Sequence, residues 1–390
     1  SQFAKKAYGY DFDEFYVPEE VYEGFKKSVT RRGRLARNRH NRLLAQYEQD
    51  FPELMKEFNQ ALNGDFEIDF EKALPTYEAG HSDATRNTSN EVINAIAKVY
   101  PTFLSGAADL ASSTKTNIKG ETAFMPGNYN GRNLCFGIRE FAMVAIMNGM
   151  MLHGGLRVAS GGFLVFSDYF KGGLRMASLM GLPIILPLSH DSIAVGEDGP
   201  THQPTEQLQM LRSIVNMQTI HPCDATETVA AWRIAMETSN KPTAIALTRQ
   251  NVPTLETTSY EGVKHGAYIV GKEINHLDAI ILASGSEVAL AIKTKQALIK
   301  EGVDVRVVSV PSFNLFDEQS AEYKESVLPN SCRKRVAVEM SSSFGWHKYV
   351  GLDGACVSVE KFGASAPADR VIEEYGFTVD KLVQTVLDLI

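Results

Sequence analysis

The sequence reads as an α/β protein built of two doubly wound domains, the second of them Rossmann-like, preceded by a helical segment. Three observations carry this. The chain has 390 residues, beyond the roughly 250 to 300 at which one hydrophobic core stops growing. Two successive series of short apolar runs alternate with longer amphipathic segments, the pattern of mostly parallel strands covered by helices on both faces. Ahead of both series lies a polar stretch with no long apolar strand. The expected divisions are a helical segment over 1–75, one α/β domain over 76–255 and a second over 265–390.

Within residues 1–75, VPEEVYEGFKKSV and RLARNRHNRLLAQYEQDFPELMKEFNQAL have helical character, the latter ending at Asn63-Gly64. Pro18 with Glu19 and Glu20 makes a helix start, because proline suits the first turn and acids suit the positive end of the helix dipole. Such a segment cannot bury a core of its own, and from its opening SQFAKKAYGYD it reads as cut from a larger domain. In the first α/β series NLCFGI (133–138) precedes REFAMVAIMNGMMLH, and LRVAS precedes GGFLVFSDYFKGGLRMASLM. LPIILPL (182–188) precedes a loop and helix, MQTIHP precedes ATETVAAWRIAMET, and PTAIALT (242–248) follows. TLETTSYEGVKH, rich in Thr, Ser and Glu, is the expected linker. The second series has strands YIVG, AIILAS (279–284), VRVVSV (305–310), RVAVEM (335–340) and ACVSVEK (355–361), with EVALAIKTKQALIKEG and VDKLVQTVLDLI as helices.

Composition narrows the function. With 44% hydrophobic and 22% charged residues, and no apolar run near the roughly 20 residues that span a bilayer, no membrane partner is expected. A net charge of -8 argues against a nucleic-acid binder, which needs a concentrated basic surface. The one basic run, Lys26–Arg42, has no interleaved aromatics and reads as a solvated helix face. Cys135, Cys223, Cys332 and Cys356 show no CxxC spacing, and nothing at the start reads as a signal peptide. Free thiols in a reducing cytoplasm fit this, and no metal ligands are expected in the chain.

Ligands of open α/β sheets bind beyond the carboxyl ends of strands, so the residues after each strand are the candidates. Glu140 lies in FGIREFAMVAIMNG between a strand and an apolar helix. A carboxylate in apolar surroundings suits proton exchange with a buried ligand nitrogen, while a helix-start glutamate paired with Arg139 is the alternative. Phe163, Phe166 and Tyr169, at i, i+3 and i+6, are expected along one side of the helix after Gly161-Gly162, either as a wall for a flat heterocycle or as core. The loop SHDSIAVGEDGPTHQP (189–204) holds His190, Asp191, Glu197, Asp198 and His202 without metal-ligand spacing, which favours hydrogen bonding to a polyhydroxylated substrate. Arg86 in SDATRNTSN and Arg249 in LTRQN have the fork to grip a phosphate or carboxylate, or form surface ion pairs. The serines of ASST (111–114) offer hydroxyls or caps, and ASGSEV (283–288) offers a weak phosphate-cradle pattern or a simple turn.

Taken together, GIREFAM, FLVFSDY, SHDSIAVGEDGPTHQP, LTRQN, FGASAP and EYGFT resemble the transketolase family in order and spacing, from Val17 to Ile390. The GEDGPTHQP block is the most specific of them. The resemblance implies a thiamine-diphosphate enzyme: a pyrimidine-binding domain over 76–255 and a transketolase C-terminal domain over 265–390. It implies that Glu140 hydrogen-bonds the aminopyrimidine and, with His202, serves catalysis; that Phe163, Phe166 and Tyr169 form the pyrimidine pocket; and that Asp109 lies near the cofactor. Arg86, Ser113, His190 and Arg249 match sugar-phosphate positions, and Asp198 and His202 match positions contacting donor hydroxyls. The implied reaction moves a two-carbon ketol unit from a ketose phosphate to an aldose phosphate in the pentose phosphate pathway, in a cytoplasmic homodimer.

The family's diphosphate-binding motif, whose aspartate and a later asparagine hold Mg2+ or Ca2+, has no counterpart here; Asn63-Gly64-Asp65-Phe66 and Glu197-Asp198-Gly199 lie in the wrong context. The expectation is that 1–75 is the tail of that domain plus a linker and that the chain alone binds cofactor poorly and is weakly active or inactive. A C-terminal subunit of a split transketolase or a non-catalytic dimerisation module is the alternative from another class. Within enzymes, the neighbours are a 1-deoxyxylulose-phosphate synthase and a dehydrogenase β subunit.

Overall fold

A computed structural model describes residues 2–64 and 66–390; Ser1 and Asp65, the latter part of the Asn63–Phe66 stretch, lie outside the described residues. The chain forms two compact units, residues 1–65 and 66–390. In the first, helices Gln2–Ala7 and Glu19–Phe25 are joined by the irregular segment 8–18, a π-helical stretch Lys26–Thr30 leads into Arg31–Asp50, and Phe51 alone separates that helix from Pro52–Asn63. The long helix expected to run to Asn63 breaks at Phe51, which adopts φ -140° and ψ 64°. Pro52 forces this, because it has no N–H to give and its ring crowds the preceding turn, whereas the first position of a new helix tolerates it. Met55 is the only buried residue among those described in this unit. The arginines from Arg31 to Arg42 all face solvent, as a solvated face should.

The second unit holds thirteen strands: β1 (Ser82–Ala84), β2 (Phe103–Ala107), β3 (Asn133–Cys135), β4 (Arg157–Phe163), β5 (Ile185–Ser189), β6 (Gln218–Ile220), β7 (Thr243–Leu247), β8 (Asn251–Pro253), β9 (Tyr268–Gly271), β10 (Ala279–Ala283), β11 (Val305–Ser309), β12 (Arg335–Val338) and β13 (Ala355–Val357). A six-stranded sheet runs β3-β2-β4-β5-β7-β6, with every pair parallel. A five-stranded sheet runs β13-β12-β10-β11-β9, parallel except for β9, which closes one edge antiparallel to β11. Strands β2, β4, β5, β7, β10 and β11 are buried along their whole length, which is why they read as continuous apolar runs rather than as alternating ones. The small antiparallel ribbon β1-β8 was not expected, since SDA and NVP are too short and polar to signal strands. No helix of the described residues is long and apolar enough to cross a membrane.

The first sheet departs from the sequence reading in two places: β2, FLSGA, was not among the expected strands, and the start of GGFLVFSDY is strand rather than helix. Gly161, Gly162 and Phe163 belong to β4 and not to the following helix, because Gly162 pairs with Leu188 and Phe163 with Ser189. A Cβ on Gly161 would come within 2.5 Å of the Pro187 carbonyl oxygen, so the glycine permits close strand approach. Phe163 therefore ends a strand, Phe166 ends a 3-10 turn (Leu164–Phe166), and Tyr169 lies on the helix Ser167–Met180. The three aromatics do not share one helix face. The linker also differs, since Ser259 caps a helix over Tyr260–His265 and Asp224 accepts from Leu255 N and Thr258 Oγ1.

The two sheets are joined by buried charge. Arg212, between β5 and β6, makes two hydrogen bonds to Glu339 at 2.7 and 2.8 Å, and its guanidinium stacks 3.9 Å from the Phe313 ring centre. Glu339, just after β12, also accepts from Trp346 Nε1, Gln209 Nε2 and His221 Nδ1. The other ring nitrogen of His221 meets Asp191 Oδ2 at 2.9 Å. Burial alone would push the His221 pKa down, but the hydrogen bonds to Asp191 and Glu339 outweigh it and raise it to about 10. For Glu287, burial dominates and raises the carboxyl to about 8. Near neutral pH a protonated His221 thus sits between the carboxyl groups of Asp191 and Glu339, with the Arg212 guanidinium on Glu339 and a neutral Glu287 beside them. Removing one partner should strand the others in a dry interior. Glu339→Gln is expected to cost about 3 kcal/mol or more of unfolding free energy, read as a lower urea midpoint. The His221 share of stability is complete below its unfolded pKa, near about 6.5, and is lost as pH rises through about 10.

Candidate active site

The parallel register levels the carboxyl ends of the strands. Ala107 stands opposite Cys135 and Gly161, Phe163 opposite Ser189, and Ser189 opposite Leu247. One edge therefore gathers Asp109 and Ser113 after β2, Glu140 after β3, Phe163 at the end of β4 and Phe166 just after it, His190 after β5 and Arg249 after β7. Arg86, on the helix Thr85–Val99, joins them by donating from Nη1 to Ser113 O at 3.0 Å and approaching His190 Nε2 at 3.5 Å. Ser113 meets Arg86 through its carbonyl and not through its hydroxyl.

His190 is the centre of this edge. Its ring stacks on Phe163 with centroids 3.6 Å apart, and its Nδ1 lies 2.9 Å from Ser189 Oγ. Arginine can only donate, so Nε2 facing Arg86 carries the lone pair and Nδ1–H donates to Ser189. Burial first, then Arg86, Arg249 and His202, lower its pKa to about 3. The backbone of His190 has φ 61° and that of Asp109 φ 66°, the left-handed region, which costs a residue with a side chain roughly 1 to 2 kcal/mol.

The aromatics form a wall after all, by another route. The rings of Phe163 and Phe166 lie 3° from parallel at 5.7 Å, Tyr169 leans on Phe166 at 6.1 Å, and His202 stands edge-on to both phenylalanines at 6.0 and 5.7 Å. Phe163 is buried against His190, so the accessible surface of the wall belongs to Phe166 and to Tyr169, which is 66% exposed. Glu140 is half-buried at the first turn of the helix Glu140–His153. That helix packs beside Ser167–Met180, with Asn148 Nδ2 donating to Gly173 O at 2.9 Å. Glu140 thus starts a helix neighbouring the one that carries Tyr169. Arg139 spends its Nε on Phe136 O, and no ion pair joins it to Glu140 among the described residues.

The loop 189–204 is built against the second sheet's domain. Ser365 Oγ donates to Glu197 O, and Gln203 Nε2 bridges Gly196 O and Ala364 O. Exposed Asp198 ends the 3-10 turn Ile193–Asp198, and His202 N–H donates back to Gly199 O at 3.0 Å, so Asp198 and His202 flank one tight turn. ASGSEV makes no anion cradle: Gly285 N–H donates to His221 O, and Ser286 Oγ bonds Gln250 and Glu287. Among the described residues no cluster of His, Cys, Asp and Glu is placed to hold a metal ion. Sequence reasoning passed over His221, Arg212, Glu287 and Glu339. The available signal was polar residues at the ends of apolar strands, in MQTIHP and RVAVEM.

Comparison with known proteins agrees with this geometry. Residues 82–254 match the pyrimidine binding domain of transketolase, 266–378 the transketolase-like C-terminal domain, and 2–67 the transketolase thiamine diphosphate binding domain. The last match shows that diphosphate-binding-domain sequence is present in the chain, over residues 2–67 within the 1–75 segment expected to be the tail of that domain plus a linker. A transketolase of Geobacillus stearothermophilus is 52% identical over 98% of this chain, which spans 58% of that relative's length. Among solved structures, a transketolase from Leishmania mexicana superimposes with a TM-score of 0.92 at 38% identity, over 99% of this chain and 57% of that one. A Pichia stipitis transketolase mutant in complex with xylulose 5-phosphate gives 0.91 at 38% identity, over 98% and 58%. Transketolases bind thiamine diphosphate together with a divalent metal ion such as Mg2+ or Ca2+. With family models matched over 2–67, 82–254 and 266–378 and a relative 52% identical along nearly the whole chain, the chain belongs to the transketolase family.

Proposed function

We propose that this chain carries the pyrimidine pocket and substrate mouth of a transketolase, which transfers a two-carbon ketol unit from a ketose phosphate to an aldose phosphate. The observation that carries the reading is the convergence of Arg86, Arg249 and a neutral His190 beside an aromatic wall on one strand-end edge. The domain division proposed is 1–75, 76–255 and 265–390, supported by the ranges of the family matches.

The residues fit both ligands. The near-parallel Phe163 and Phe166 with Tyr169 suit a flat pyrimidine. Arg86 Nε is buried without a partner, and an unmade charged hydrogen bond of this kind is what a phosphate oxygen would satisfy. When bound, thiamine diphosphate supplies the electron sink that a ketol transfer needs. Glu140 holds a proton at a pyrimidine nitrogen, Asp109 borders the cofactor, and Arg86, Ser113, His190 and Arg249 orient the phosphate. His202 and Asp198, on either side of the Gly199 turn, bond donor hydroxyls, His202 also giving and taking protons. A sugar-phosphate substrate is further supported by the xylulose 5-phosphate complex of the Pichia relative.

A homodimer is the proposed assembly. The helices Glu140–His153 and Ser167–Met180 turn Phe141, Ile146, Leu152, Tyr169, Met176 and Leu179 outward, each at least 43% exposed. Contiguous apolar helix faces of this kind mark protein contacts.

Three outcomes test the reading. Glu140→Gln should lower ketol transfer from xylulose 5-phosphate to ribose 5-phosphate about 100- to 10,000-fold, assayed with the N-terminal region supplied, while the melting midpoint stays put. Ribose 5-phosphate binding should release protons at about pH 6, because Arg86 and Arg249 favour the dianion of a phosphate whose second pKa is about 6, while His190, kept neutral first by burial and then by its cationic neighbours, takes none up. The release should be larger at about pH 6 than at about pH 8, in calorimetry with buffers of differing ionisation enthalpy. Leu179→Asp should shift the protein toward monomer in light scattering.

A further inference from the structure

Residues that hold a ligand pocket open need supports of their own, and His190 shows where its support comes from. Its left-handed backbone is an unfavourable conformation that persists only if both neighbours are fixed. On one side Ser189 is locked in β5, paired to Phe163 and Leu247, with its hydroxyl on the His190 ring. On the other side Asp191 is only 2% exposed, and its carboxylate is bound by His221 Nε2 at 2.9 Å and by Ser192 Oγ at 3.2 Å.

His221 is itself gripped by the second sheet's domain. Its Nδ1 lies 3.0 Å from Ser284 Oγ and 3.3 Å from Glu339 Oε1, while its backbone N–H donates to Pro311 O. Gly285 packs so closely on the imidazole that any Cβ there would overlap the ring. With a carboxylate at each ring nitrogen, the imidazole donates at both and cannot turn without unmaking one bond. We infer that His221 is a positioning residue of the anion pocket: through Asp191 it ties the chain beside His190 to Ser284 and Glu339 of the C-terminal domain, and so fixes the His190 ring over Phe163. The inference rests on the sugar-phosphate reading above. It gives the C-terminal domain a part in substrate recognition through Ser284 and Glu339, which reach the His190 ring only by way of His221 and Asp191.

The test uses the full chain, with ribose 5-phosphate and ribose as probes in calorimetry. His221→Gln should weaken ribose 5-phosphate about tenfold and ribose by less than about twofold, so the preference for the phosphorylated sugar collapses. The His190 ring 15N signals should lose the Nδ1–H pattern in the same variant. Ser284→Ala trims one hydroxyl from the same imidazole without disturbing the charge balance, and should move the preference in the same direction with an unchanged melting midpoint. An equal loss for both sugars would make His221 merely structural, and an unchanged preference in the folded Ser284→Ala and His221→Gln chains would overturn the inference alone. If the unaltered chain shows no preference for ribose 5-phosphate, the sugar-phosphate reading falls and takes the inference with it.

Discussion

The parallel pairing of β2, β4, β5 and β7 in one register is the constraint from which the site follows. Side chains alternate along a strand, so a slip of one residue would exchange the two faces and move Ser189 off Phe163. In a sheet covered on both faces the apolar pattern is nearly continuous and says little about register. Here steric detail supplies what the pattern omits. Gly161 lies under the Pro187 carbonyl, where no side chain fits, and this fixes β4 against β5 at the level that brings Phe163 beneath His190.

Two buried histidines at similar depth end in opposite charge states. His190 faces arginines and another histidine, so its neighbours add to the effect of burial and keep it neutral. His221 faces carboxylates at both nitrogens, and they outweigh burial and keep it protonated. The neutral ring keeps a lone pair at the strand-end edge, whereas the protonated ring serves as a rigid two-ended connector. Local partners, rather than residue type or burial, assign the roles.

Much of this was legible in the sequence. The strand runs from NLCFGI to ACVSVEK lie where strands form, because buried parallel strands must be apolar and short. The positions after them named most of the edge, since chain direction alone puts strand ends together. What could not be read were features set by distant partners. The role of GGF as strand depends on β5, and the break at Phe51 needed more weight on Pro52 than the helical pattern around it allowed. The charge cluster joins Asp191, Arg212, His221, Glu287 and Glu339 from five separate stretches, and no local pattern encodes such a meeting.

That cluster also bears on how a ligand gets in and out. Prying the two sheets apart would expose or separate ions that have exchanged their water for one another, so a hinge between them is energetically closed. Access to the proposed site is left to parts that can shift cheaply: the exposed side chains of Arg249, Tyr169 and Asp198. Within residues 66–390 the two sheets therefore act as one rigid body, and the strand-end edge can change shape by side-chain rotation rather than by domain swing.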